Sequence, residues 1–414
     1  AHFILARDRI ANIERVRGLA GGSGNLGRLR AAYDLNVALN ALDRLEVRGR
    51  DSAGIHIFVR GVAGALSTGQ EEQIASRSSI AHFTHQAVRQ TDGPDGSRVF
   101  SFVYKVAAEV GELGENVRAL RAAICGDGLL WSLLESNGAT AEILAHTRWA
   151  SVGVISEANA HPLNQEQNRT VDGPYAVAAL NGDVDNYQQL IREEGLSVPP
   201  EITTDAKVIP VLFSTARAGE NGRADAFRKV VARFEGSVAI GAASSDEPGR
   251  VYLALRGSGQ ALYVGVADDS YVVASEPYGI VEETSRYLRL DGETPADTDR
   301  PSSRGQVVVL HAEQAGTVAG LTRCAYDGTE LPVTEEDIKT VEIGWPVGMP
   351  LARSLGGGLW EVRSNIPDGT ARVIFLVEEG LLVLLHGFVK KARRAPKREL
   401  ETARSRAAKL RNVK

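Results

Sequence analysis

The chain has 414 residues, 43% apolar and 24% charged, with a formal net charge of −5, the composition of a globular protein with room for two or three domains. No apolar run reaches membrane-spanning length and residues 1–9 lack the layout of a secretory signal, which argues against a membrane or exported protein. With only Cys125 and Cys324, a disulfide framework is not expected and a reducing cytoplasm fits.

Residues 1–20 place apolar positions at near-helical spacing, with Arg on the other side, until Gly21-Gly22-Ser23-Gly24 stops the pattern. A second helix is predicted over Leu29–Leu45, where Leu35, Leu39, Leu42 and Leu45 recur three or four apart. It leads into Arg48-Gly49-Arg50-Asp51-Ser52-Ala53-Gly54 and a strand, IHIFV. Residues 61–100 are polar and read as a surface segment. His82 and His85 lie three apart there, with no third candidate ligand nearby, so no metal site is expected. Residues 101–124 then read as strand, glycine turn and helix.

Two apolar runs follow, each ending in polar positions. Ile143–Ala145 ends in His146-Thr147-Arg148-Trp149, and Tyr175–Leu180 ends in Asn181-Gly182-Asp183. This pattern predicts buried strands whose ends face one pocket. An arginine fork pairs bidentately with a carboxylate. An Asn amide beside a Gly backbone N–H makes a pair of oxyanion donors. Together they suit acyl transfer from a substrate that carries its own carboxylate. Further on, Thr203-Thr204-Asp205 opens an apolar helix, Ala206–Ser214, with Asp205 placed to cap it. Residues 234–290 give a succession of short strands with Gly turns, predicted as the second layer of an antiparallel sandwich. RGSG (Arg256–Gly259) lacks the Gly-Lys-Ser/Thr of a phosphate loop and reads as a tight turn.

Five ordered motifs carry a family resemblance: LEVRGRDSAG (Leu45–Gly54), HTRWAS-VG (His146–Gly153), NAHP (Asn159–Pro162), LNGDVDNY (Leu180–Tyr187) and TTDAKVI (Thr203–Ile209). Residues from about 30 to 343 resemble the class II, N-terminal-nucleophile glutamine amidotransferase domain of the isomerising glutamine–fructose-6-phosphate aminotransferases. The resemblance implies an α+β fold, a four-layer αββα sandwich of the Ntn-hydrolase type, and glutamine as ligand with no cofactor. It implies that Arg148 takes the α-carboxylate and Asp205 the α-ammonium, with Asn181 and Gly182 forming the oxyanion hole. Trp149 and His146 would shape the pocket, with Arg48 and Gly49 in its wall. The motif commonly has His where this chain has Val152. Fructose 6-phosphate would enter only through two sugar-isomerase domains, for which residues 344–414 are too short. An oligomer is compatible with this reading.

Enzymes of this class attack glutamine's amide with an N-terminal Cys whose own α-amine is the base. Position 1 is Ala, and Met349 is the one methionine, so Ala1 reads as a processed end or a fragment boundary. Residues 1–414 are therefore expected to hold the pocket without the attacking atom. Two readings stay open: a portion of an aminotransferase whose Cys lies upstream, or a nucleophile-free glutamine-binding domain with a regulatory role.

The expected division is a helical segment 1–29, an amidotransferase domain 30–343 and a basic segment 344–414. The last holds 14 Lys and Arg against 6 Asp and Glu, +8, while the remainder holds 33 against 46, −13; such asymmetry points to a polyanionic partner. Three short strands (LWEVRS, ARVIFLV, LLVLLHGFVKK) precede a basic helix. The GLWEVR and LLHGFVKK…PKRE segments resemble the C-terminal part of RelE/HigB-type toxins, which implies a small α+β unit and RNA or the ribosome as partner. Candidate contacts are Arg363, Arg372, His386, Lys390, Lys391, Arg393, Arg394, Lys397 and Arg398. The join near 343–345 reads as a fusion of two coding segments or an assembly artefact.

Overall fold

The computed structural model describes residues 2–107, 113–169, 172–217, 219, 222–340, 352–366, 369–378, 381–390 and 397–412. Residues Ile13–Val341 form one compact unit, and Ala1–Asn12 group with Glu342–Lys414 in another. Helix α1 spans His2–Leu19.

In the larger unit α2 runs over Leu26–Leu45, three residues earlier than its leucine spacing indicates, because Asn25 caps it by accepting the N–H of Arg28 at 3.0 Å. Strands β1 (Ser52–Arg60), β2 (Val88–Asp92), β3 (Arg98–Ala107) and β4 (Thr140–Arg148) form an antiparallel sheet in the order β2-β3-β1-β4. Helices α3 (Thr68–Ser78), α4 (Glu115–Cys125) and α5 (Gly128–Leu134) punctuate it, so the polar stretch 61–100 holds a helix and a strand as well as surface loop. Leu35, Leu39, Leu120, Leu130 and Trp131 pack on Ala53, Ile55, Ile57, Phe100 and Phe102, the helix-facing side of this sheet.

A second sheet has six strands. β5 (Leu163–Asn164) and β6 (Ala176–Gly182) are followed by helices α6 (Tyr187–Glu193), α7 (Val208–Thr215) and α8 (Gly222–Val231) and by strands β7 (Val238–Ser244) and β8 (Arg250–Arg256). Strands β9 (Tyr263–Val266), β10 (Tyr271–Ala274), β11 (Arg286–Arg289), β12 (Gln306–His311), β13 (Leu321–Ala325) and β14 (Lys339–Thr340) complete the unit. The six-stranded order is β13-β12-β8-β7-β6-β5. Its outer face (Ala178, Leu180, Ile240, Tyr252, Val307) packs on Ile209, Phe213 and Phe227 of the helices. The inner face meets the first sheet through Phe58, Val99, Tyr175, Val177 and Ala243. Helices, sheet, sheet and helices thus stack as an αββα sandwich, an α+β fold.

The strands of 234–290 do not all join one layer, as their even spacing suggests. β7 and β8 do, whereas β9, β10 and β11 form a separate sheet with β14, in the order β10-β9-β11-β14. Val264, Val266 and Leu288 cover Leu253, Leu255 and Val308 where the first sheet does not reach. Among the described residues β4 pairs only with β1, and its residues 141–147 stay half buried where those of β1 are buried, only the terminal Arg148 being buried.

The smaller unit holds four antiparallel strands where the sequence suggests three: β15 (Ala352–Gly356), β16 (Leu359–Ile366), β17 (Gly369–Glu378) and β18 (Leu381–Lys390). Helix α9 (Lys397–Asn412) lays Ala403 and Ala407 on Leu359, Ile374, Leu376 and Leu385.

Candidate functional site

Arg148 ends β4 directly opposite Ser52, and Asn181 and Gly182 end β6. The two strands run in facing sheets, and their ends meet at one edge of the sandwich, where the Ser151 hydroxyl, just past β4, donates to Asp183, just past β6, at 2.9 Å. Arg148 is 3% exposed. Its guanidinium donates to the carbonyls of Val152 and, at 3.3 Å, Val154, folding the 151–154 loop around itself. Val152 therefore contributes its backbone at this position. Burial pushes Arg148 below its ordinary pKa, opposed by the carboxylates of Asp205 and Asp51.

Asp205 sits in a short turn, Asp205–Lys207, that precedes α7. The helix predicted over Ala206–Ser214 is this turn plus α7, and Asp205 does not cap it by side chain. Its Oδ2 instead accepts the N–H of Val184 at 2.7 Å, and Oδ1 accepts the hydroxyl of Thr204 at 3.2 Å. The bond to Val184 ties the carboxylate to the segment just past Asn181-Gly182. Burial raises its pKa, opposed by those hydrogen bonds.

Gly182 has φ +103, and a Cβ there would lie 2.0 Å from the carbonyl oxygen of Ser237, so glycine is a steric requirement. Asn181 pairs with Ala239 on the same face of β6 as Val177, the face turned to the first sheet. Gly49 is pinned too: a Cβ there would stand 2.6 Å from the backbone nitrogen of Trp149. The Arg48–Gly49 turn thereby presses on the Arg148–Trp149 turn, with Asp51 accepting the N–H of Ala150 at 2.9 Å.

Not every expected wall residue lines the cleft. Trp149 is 73% exposed, because its backbone is held against Gly49 while β4 ends one residue earlier. The half-exposed Arg48 is engaged in an ion pair with Glu276. His146 lies inside, its ring centroid 4.9 Å from that of His161 and its Nδ1 buried without a partner; desolvation and then the charge of Arg148 lower its pKa to about 4.

Sequence reasoning left the scaffold of the site unassigned. Asn159, fully buried, accepts the N–H groups of Thr203 (2.7 Å) and Thr204 (3.1 Å) at its Oδ1, and its Nδ2 donates to the Thr203 hydroxyl (3.2 Å). His161, on the cis side of Pro162, lies 3.1 Å through Nδ1 from the Leu180 carbonyl oxygen and 3.4 Å through Nε2 from the Thr204 hydroxyl. NAHP is therefore the clip that fixes the Asp205 turn to β6. Lys105 and Lys207 are also buried, 2% and 1% exposed; Lys207 donates to the Asn164 carbonyl at 2.6 Å. Of the cysteines, Cys125 is exposed and contacts the Gly18 carbonyl. Cys324 lies on β13 among Arg228, Asp225 and Asp327, its thiol pushed up to about 11 chiefly by burial.

In the smaller unit Arg372 is 9% exposed, and its Nη1 donates to both oxygens of Glu361 at 2.7 Å. A guanidinium so engaged is a core ion pair, which corrects its reading as a contact to RNA: alternation along β17 turns it to the same face as Ile374, under α9. His386 Nε2 pairs with Glu399, joining β18 to α9, and Arg406 donates to the Leu385 carbonyl at 2.7 Å. Arg398 is exposed at the start of α9. Arg363 and Lys390 lie on β16 and β18 and Lys397 opens α9, whereas Lys391, Arg393 and Arg394 fall outside the described residues. Among the described residues no group of three His, Cys, Asp or Glu is placed to hold a metal ion, and no helix is long and apolar enough to cross a membrane.

An αββα sandwich with Arg148, Asn181-Gly182 and Asp205 at one edge is the arrangement that the sequence resemblance implies, and sequence comparison finds relatives over much of the chain. Over 254 residues, 61% of this chain, it is 27% identical to the isomerising glutamine–fructose-6-phosphate aminotransferase of Bacillus cereus. Over 250 residues it is 33% identical to the enzyme of that name from Bordetella pertussis, and over 279 residues 30% identical to that of Chlorobaculum tepidum. The aligned region spans about a third of these relatives: 32%, 38% and 35% of their lengths. Among solved structures, the glutamine phosphoribosylpyrophosphate amidotransferase from B. subtilis, complexed with ADP and GMP, matches with a TM-score of 0.36 at 20% identity, covering 66% of this chain and 49% of that one. Residues 334–408 match the family of Phage derived protein Gp49-like (DUF891).

Proposed function

We propose that residues 30–343 bind L-glutamine as the amidotransferase half of a glutamine-dependent aminotransferase. Arg148 takes the α-carboxylate, Asp205 the α-ammonium, and the Asn181 amide with the Gly182 N–H face the amide oxygen as it becomes an oxyanion. The observation that carries this reading is that buried Arg148 and Asp205 have opposite charges, the Asp205 carboxylate acting on the Arg148 guanidinium, at the edge where β6 presents Asn181 and Gly182. A zwitterion with a short side chain supplies the complementary charges. Neither Cys125 nor Cys324 belongs to this edge, so residues 1–414 hold the clamp without a thiol, and we expect binding without amide cleavage. Ammonia delivery to fructose 6-phosphate, the activity named for the relatives, requires more than the region they share with this chain. The domain boundaries near 29 and 343 belong to the same proposal.

A second reading concerns residues 344–414, part of the stretch matched by the Gp49-like family: a basic unit that binds RNA, which its charge of +8 supports. Thermal melting with and without glutamine tests the first reading. A ligand at a hundred times its Kd stabilises by about 2.7 kcal/mol, so millimolar glutamine should raise the melting temperature by degrees and asparagine should not. Equal shifts with both, or none with either, would refute the clamp.

A further inference from the structure

The inner face of the first sheet carries a second cation that the clamp leaves unused. Lys105 stands opposite Gly54 in the β1–β3 register, and on the other side of β1 Gly54 faces His146. Two residues back along β1, Ser52 stands opposite Arg148. Because strands alternate faces with period two, Lys105, Ser52, Gly54 and Arg148 all present to the space between the sheets, and Gly54, with no side chain of its own, lets the His161 carbonyl pack over it, where a Cβ would lie 2.4 Å from that oxygen. Lys105 is 2% exposed and Ser52 fully buried. The Ser52 hydroxyl has no partner. The Lys105 ammonium donates to no acceptor among the described residues, although Lys207, equally buried, is bonded to Asn164.

Charged and polar groups near Lys105 come from several elements: His56 on β1, His85 from the loop between α3 and β2, whose Nδ1 accepts the Lys105 backbone N–H at 3.2 Å, His146 and Arg148 on β4, Glu157 and His161 from the loops after β4, and Lys207 from the turn before α7. Glu157 is the single acid among them and is exposed. A buried ammonium without an acceptor, beside a buried unpaired hydroxyl and an arginine that spends donors on its own loop, is an arrangement short of one anion.

Resting on the glutamine reading above, we propose that Lys105 and Ser52 complete the carboxylate anchor: the ligand's α-carboxylate is shared between Arg148, the Lys105 ammonium and the Ser52 hydroxyl. Lys105 then acts as a positioning residue and makes the site selective for ligands with a free α-carboxylate. Desolvation, opposed by Glu157 and reinforced by Arg148, holds Lys105 at about 7. A docked carboxylate restores the ammonium, so binding takes up a proton near neutral pH.

The test is calorimetric titration of L-glutamine into the whole chain at pH 7.5, in buffers of differing ionisation enthalpy, with the variants Lys105→Met, Ser52→Ala and Lys207→Met. We expect fractional proton uptake by the wild type. Lys105→Met should bind at least tenfold more weakly with no proton uptake, yet melt no lower than the wild type, since it removes an unpaired buried charge. Ser52→Ala should bind severalfold more weakly, and Lys207→Met should keep its proton uptake. Glutamine binding unchanged in Lys105→Met, with the same proton count, would overturn this proposal and leave the glutamine clamp standing. No binding by a folded wild type would overturn both.

Discussion

The carboxylate of Asp205 accepts the backbone N–H of Val184 at 2.7 Å, linking the turn before α7 to the end of β6 two residues past Gly182. One hydrogen bond thus joins the proposed ammonium-binding group to the segment that follows the proposed oxyanion donors. It also makes Asp205 a group at cross purposes with stability. Its folded pKa is raised, so its ionised form opposes folding as pH rises above the unfolded value, while ligand binding needs that form. Asp205→Asn keeps an acceptor for Val184 and removes the charge. We expect it to melt higher than the wild type and to bind glutamine at least tenfold more weakly, a loss of about 1.5–3 kcal/mol for a hydrogen bond to a charged group. Parallel melting and titration of this variant check both signs.

Gly182→Ala is expected to destabilise the chain by at least roughly 1–3 kcal/mol, the cost of a non-glycine residue in a disfavoured backbone region. The contact at 2.0 Å with the Ser237 oxygen adds to it. Urea unfolding measures this; a wild-type midpoint would mean that the β6 end is not held as described.

Acid should weaken the fold well above the carboxylate range. His56 is 1% exposed, its pKa lowered to about 3 by burial and then by Lys105, and His161 lies well below its ordinary value. For a histidine kept neutral in the native state, the unfolded chain binds the proton that the native one refuses. Stability is therefore complete above about 6.5 and falls as pH drops from there toward the folded values. Each such group contributes a slope of about 1.4 kcal/mol per pH unit in that window. Urea midpoints at pH 7.5, 6 and 5 should decline steadily, and a flat profile would show that these rings are solvated.

For the basic unit, cutting the Glu361–Arg372 pair by Glu361→Ala should cost about 3–5 kcal/mol, the penalty of stranding a buried charge. If the unit binds RNA, filter binding over salt should give a steep slope, weakening roughly 10³-fold between 50 and 200 mM for six phosphate contacts. Arg398→Ala should reduce that slope by about 1. Arg372→Met should leave it unchanged, since its guanidinium is held by Glu361. A slope insensitive to Arg398 would detach the charge of this unit from RNA.

The sequence made the layered fold and the convergence of Arg148, Asn181-Gly182 and Asp205 readable because strand ends and motif order are local signals. What it concealed was set by partners distant in the chain. The exposure of Trp149 depends on Gly49, a hundred residues earlier, pressing on its backbone nitrogen. Arg372 reads in sequence as a strand cation open to RNA, whereas Glu361, on the neighbouring strand, holds its guanidinium in the core. The role of NAHP is a set of side-chain bonds to Thr203, Thr204 and Leu180, which no spacing rule encodes. Lys105 did leave a trace: it follows Val99, Ser101 and Val103 at period two on β3, the pattern of an inward-facing lysine. The split of the 263–289 strands into a sheet of their own left none, since short strands read alike whichever sheet they join.

The proposed function stands or falls on glutamine binding by the proposed Arg148–Asp205 clamp. Titration calorimetry of L-glutamine into purified residues 1–414, with an ammonia-release assay on the same sample, tests it. The prediction is saturable binding that Arg148→Lys weakens at least tenfold, because a point charge cannot replace the fork, with no ammonia above background. Absence of glutamine heat from the folded protein would contradict the clamp, and ammonia release at the rate of an ordinary amidotransferase would contradict the reading that this chain binds glutamine without cleaving it.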